Sequence, residues 1–103
     1  MIRWSPAAPT RPACPHRRLT RLLGAEMGAG FILGNSTLRP WASANFVGAR
    51  HLYRCSGSSV EARALQDRLT AIEWRLPGHI VADLSVETDG PDEMIIEILT
   101  VED

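Results

Sequence analysis

Residues 93 to 103 read "EMIIEILTVED". In an extended chain successive side chains point to opposite faces, so Met94, Ile96 and Ile98 share one face. Ile95, Leu99 and Val101 share the other, with only Glu97 interrupting. A strand that is apolar on both sides calls for cover on both sides and belongs in the middle of a sheet. This stretch predicts a central strand.

Upstream, "TDGPD" (88 to 92) is a turn, in which Asp89-Gly90 supplies the positive-φ positions and Pro91 ends pairing. Before it, "HIVADLSVE" (79 to 87) alternates Ile80, Ala82, Leu84 and Val86 with Val81, Asp83, Ser85 and Glu87, a half-buried strand. "ARHLYRCS" (49 to 56) is strand-like too. Between these two lies "VEARALQDRLTAIEWRL" (60 to 76), built from good helix formers, with a Ser58-x-x-Glu61 capping box before it and Pro77-Gly78 to stop it. The order is therefore β-α-β-β.

A right-handed crossover makes the first two strands parallel and leaves a gap between them that the C-terminal strand fills, antiparallel to both. The expected fold over residues 47 to 103 is α+β: a half-ferredoxin-like, three-stranded sheet of order 1-3-2 with one helix on one face.

At 100° per residue, Leu65, Leu69, Ile72 and Leu76 form the helix face that packs on this sheet. Trp74 projects to the opposite side, flanked by Arg63 and Asp67, which leaves two readings: the helix loosens before Pro77 and the indole folds back over apolar surface, or Trp74 is an exposed aromatic anchor for a contact. A single helix also leaves the second sheet face bare, with Leu52, Ile95, Leu99, Val101 and Val81 on it. Fifty-seven residues without a disulfide or metal framework seldom build a self-sufficient core. Self-association through that face follows, as does the alternative of an unknown protein partner. Arg50, Arg54, Glu97 and Asp83 are expected to pair across it and set register.

Residues 1 to 46 read differently. Five of the seven prolines lie there, and the charge of residues 1 to 50 is +6 against −7 for 51 to 103, which cancel to the net −1. The segment is expected to be a largely unstructured basic arm, non-native in whole or part if translation starts near Met27 or Val47. Export is the weaker alternative, suggested by Arg17-Arg18 and the small residues at 42 to 44 but opposed by Glu26 within the apolar run. Nucleic-acid binding is disfavoured, because no aromatics interleave the arginines. All eleven basic residues are arginine, which points to a GC-rich bacterial genome.

No stretch is apolar enough for a membrane span, and Cys14 and Cys55 stand in unlike contexts, as free thiols of a cytoplasmic protein do. His51 and Cys55, and likewise His79 and Asp83, are spaced i, i+4 on strands. That spacing spans about 13 Å and cannot chelate one ion, so neither a metal nor a cofactor is expected. The serines of "CSGSS" are read as turn and cap, leaving no catalytic residue. The expected function is a small homo-oligomeric interaction or regulatory module. The alternatives are a small-ligand binder with an intersubunit pocket and, third, an enzyme.

Overall fold

The computed structural model describes residues 13–28, 30–57 and 61–103. Its elements are α1 (His16–Met27), β1 (Phe31–Ala42), β2 (Val47–Gly57), α2 (Ala62–Thr70), β3 (His79–Thr88) and β4 (Glu93–Glu102). The strands make one antiparallel sheet of order β1-β2-β4-β3. The α+β class and the antiparallel sheet agree with the sequence; the number of strands does not. There are four, not three, and the three expected as 1-3-2 are β2, β4 and β3, side by side in that order with a further strand outside β2.

The extra strand comes from the segment expected to be an unstructured arm. "FILGNSTLRPWA" contains Gly34 and Pro40, which argue against a central strand, but β1 lies at the edge of the sheet, where a missing ladder donor is tolerated. Ahead of it, Leu19, Leu23 and Met27 fall at i, i+4 and i+8, one stripe of a helix, and all three are buried. They join Tyr53, Cys55, Leu65, Leu69, Ile96 and Ile98 in one core, so residues 16 to 42 are part of the fold.

The chain thus runs α-β-β twice. Exchange of the two halves leaves the strand order unchanged, and the buried leucines of the helices correspond at a constant offset, Leu19 with Leu65 and Leu23 with Leu69. Each outer strand carries a bulge just beyond its third ladder pair, between Leu33 and Ser36 in β1 and between Val81 and Asp83 in β3. Both helices cover the same sheet face, and they are tied to each other's surroundings by Arg18 Nε donating to the Arg75 carbonyl (2.9 Å) and Arg68 Nη2 to the Glu26 carbonyl (3.0 Å). The second donation places a cation at the C-terminal end of α1, where the helix dipole favours it.

Two local expectations change. The helix ends at Thr70 rather than near Leu76: the backbone N–H groups of Ala71 and Ile72 close it by donating hydrogen bonds to the Asp67 and Leu69 carbonyls, and a stretch outside the helix leads to the Leu76–His79 turn. Pro77 and Gly78 occupy the middle of that turn, with Gly78 at φ 78°, the left-handed position that favours glycine. Ser58 lies outside the described residues, so the capping box does as well; Glu61 occupies the cap position rather than the third residue of the helix.

The bulge in β3 corrects the third expectation. It inserts one residue into the alternation, so Val81 turns to the helix-covered face and packs on the core while Ile80 lies on the bare one, 52% exposed. His79 and Asp83 consequently fall on opposite faces.

Candidate functional site

Two features stand apart from the packing: a histidine pair beneath α1 and the uncovered face of the sheet. The pair is assembled from three elements. His16 opens α1, His51 lies on the core face of β2, fully buried, and Thr100 lies beside it on β4. His16 Nδ1 is 2.8 Å from His51 Nδ1, His51 Nε2 is 2.9 Å from Thr100 Oγ1, and Thr100 Oγ1 donates to the Ala49 carbonyl at 3.5 Å.

With the threonine proton directed at Ala49, His51 Nε2 is the donor to Thr100, which leaves His51 Nδ1 as acceptor for the proton on His16 Nδ1. His16 Nε2 meets Ser36 Oγ at 3.0 Å on the exposed side. A continuous hydrogen-bonded chain therefore runs from the surface at Ser36 to the middle of the sheet. Tyr53 flanks it: its ring stacks on His16 with centroids 5.5 Å apart, and its hydroxyl donates to Thr20 Oγ1 at 3.0 Å, which itself donates to the His16 carbonyl.

The electrostatics follow from burial. Desolvation lowers the His16 pKa, and lowers that of His51 to about 4, with repulsion from His16 and His79 adding to it. Burial pushes the Tyr53 phenol up to about 12, with Cys14 nearby raising it and the Thr20 bond opposing. Both imidazoles are therefore neutral at pH 7, and the chain has neither a charged nucleophile nor a paired carboxylate. Among the described residues no group of three or more His, Cys, Asp or Glu side chains is placed to hold a metal ion. A cleft of about 330 Å³ lies at the end of the Thr100 row, with Cys14, Leu38, His79 and Glu102 in its wall.

The uncovered face is ordered in rows across the strands. Trp41, Gly48, Val101 and Ile80 form one; Arg39, Arg50, Leu99 and Asp83 the next; Thr37, Leu52, Glu97 and Ser85 the third. Gly48 is required in the first row, because a Cβ there would lie 1.9 Å from the Thr100 carbonyl oxygen and 3.1 Å from Trp41 Nε1. The indole lies over the glycine, and its buried Nε1 has no acceptor among the described residues. Leu52 and Ile80 are exposed, Ile95 and Leu99 half-buried and Val101 buried. Arg50 meets Glu97 at 3.0 Å and Arg54 meets Asp89 at 2.8 Å within the same chain.

Leu52, Ile95, Leu99 and Val101, four of the residues expected to form a contact surface, are thus brought together on one face. Trp74 is not with them, nor on the outer side of a helix. Because α2 has ended, its indole folds back on the core and Nε1 donates to the Leu69 carbonyl at 3.1 Å, serving as a cap for the helix end. Arg63 and Asp67 stay exposed on α2, near Val86 and Glu87 of β3. The His16–His51 contact was not legible, since it joins residues 35 apart that only the docking of α1 brings together.

No helix among the described residues is long and apolar enough to cross a membrane. Compared with known protein families, curated proteins and solved structures, the chain finds no match.

Proposed function

We propose that the protein is a small self-associating module whose working surface is the uncovered face of the four-stranded sheet. The observation that carries this reading is the concentration of Leu52, Ile80, Ile95, Leu99 and Val101 on a face that no helix among the described residues covers, while α1 and α2 occupy the other. Isolated apolar residues at a surface are ordinary; a group of them on one sheet face, here crossed by the Arg50–Glu97 ion pair, is characteristic of an interaction site. Antiparallel sheets that face water on one side normally alternate apolar with polar residues, and β4 does not.

Nothing in the geometry of the histidine chain favours an enzyme over this role. Its groups are neutral and its donors and acceptors are used in joining α1 to the sheet. We read it as a structural latch that holds the helix layer on one side and leaves the other side free for assembly.

Sedimentation velocity of the full chain over a dilution series tests the reading. The expected result is a concentration-dependent species of twice the 11.3 kDa chain mass. Leu99→Glu, which puts a charge at the middle of the face without touching the helix-side core, is expected to leave the near-ultraviolet circular dichroism unchanged and abolish that species. A wild-type chain that remains a monomer throughout would refute self-association and assign the face to another protein.

A further inference from the structure

We propose that the sheet face is self-complementary in charge, so that two copies pack face to face about a dyad running parallel to the strands. The inference rests on the self-association reading above and adds the orientation of the second copy.

The two halves of the face carry opposite charge. On β1 and β2 the charged residues are Arg39, Arg50 and Arg54; on β3 and β4 they are Asp83, Glu87, Glu93 and Glu97. No acid interrupts the first group and no base the second. Arg50 and Arg54 have partners within the chain, whereas Arg39, Asp83 and Glu87 form no ion pair among the described residues. Arg39 stands directly opposite Arg50 across the ladder, a like-charge pair that is unfavourable unless an anion approaches from outside the sheet.

Closed symmetry allows a face-to-face pair two simple dyads in the interface plane. A dyad perpendicular to the strands lays β1 over β1 and sets arginines against arginines. A dyad parallel to the strands reverses the strand order of the second copy, so β1 of one copy lies over β3 of the other. Arg39 and Asp83 end the same row, so this second arrangement places the Arg39 of each copy over the Asp83 of its mate. It lays β2 of one copy over β4 of the other, which keeps Leu52, Ile95, Leu99 and Val101 in the middle of the interface, with Leu52 over Glu97 and Leu99 over Arg50. Stacked sheets lie about 10 Å apart with strand directions within about 30°, a gap that an arginine and an aspartate reaching toward each other can span.

A charge-reversal cycle decides it. Dissociation constants are measured by sedimentation equilibrium at low salt for wild type, Arg39→Glu, Asp83→Arg and the double variant; both side chains are exposed, so neither change disturbs the core. Each single reversal creates two like-charge contacts per dimer and is expected to weaken association about tenfold, and the double variant to restore it to within a few-fold of wild type. Dimers that form equally well in both single variants, or a double variant weaker than either, would overturn the orientation while leaving self-association standing. A monomeric wild type would overturn both.

Discussion

His16 and His51 face each other Nδ1 to Nδ1 at 2.8 Å, one at the first turn of α1 and the other in the floor of the sheet. A bond of this kind needs one bare nitrogen, and the Thr100 contact assigns it to His51. A proton taken up by His51 therefore puts a charge in the floor of the sheet and forces His16 either to give up its Nδ1 proton or to lose the bond.

The consequence is a stability that depends on pH. The folded-state pKa of His51 is lowered from 6.5 to about 4, so its neutral form belongs to the fold. The sign follows: stability is full above pH 6.5, falls as pH drops below it, and levels off below about 4, where folded and unfolded chains carry the same proton. The span corresponds to about 3 kcal/mol for this group, to which His16, lowered in the same direction, adds. His79, Tyr53 and Cys14 are the other titratable groups nearby. Urea midpoints between pH 4 and 7 should show the slope in wild type and a shallower one in His51→Gln.

Trp74 is a stability residue here and not a contact. Trp74→Ala removes a half-buried indole and the bond to the Leu69 carbonyl, and is expected to cost about 2 kcal/mol in denaturant unfolding. Its solution mass should equal that of wild type. A variant that folds with unchanged stability but dissociates would return Trp74 to the interface.

Residues 47–103 should not fold alone. Removing α1 and β1 takes Leu19, Leu23 and Met27 out of the core and uncovers His51, Tyr53 and Cys55. Each buried side chain contributes about 1.5–3 kcal/mol, so the loss exceeds the ~3–5 kcal/mol that so short a segment has in reserve. The expected outcome is a non-cooperative thermal transition by circular dichroism, against a cooperative one for the full chain.

How far the sequence foretells this fold depends on the type of signal. β4 is legible because five of its residues are apolar and β-branched or aliphatic on both faces, and position in the sheet follows from that alone. β1 is not, because an edge strand with a mostly exposed surface has neither alternation nor freedom from proline, and Gly34 and Pro40 look the same in a loop. α1 does carry a signal, the Leu19, Leu23, Met27 stripe, but it sits among prolines and arginines that suggest a different explanation. The bulge at Ala82 and the early end of α2 are tertiary in origin: one extra residue in β3 and the loss of the last turns of α2 are enough to move Val81 and Trp74 from outside to inside. The uncovered face was readable from β4; the histidine latch, which depends on where α1 docks, was not.

The central claim is that this face meets its own copy, and a single spin label tests it most directly. In a chain carrying Cys14→Ser and Thr37→Cys, the nitroxide goes to position 37, exposed on the edge strand of the same face, since Cys55 is buried and its thiol is pushed up in pKa. With sheets about 10 Å apart, the account predicts a narrow label-to-label distance of roughly 20 Å between copies by double electron–electron resonance. A trace containing only the background of unassociated molecules, at concentrations where the protein is dimeric by mass, would contradict it.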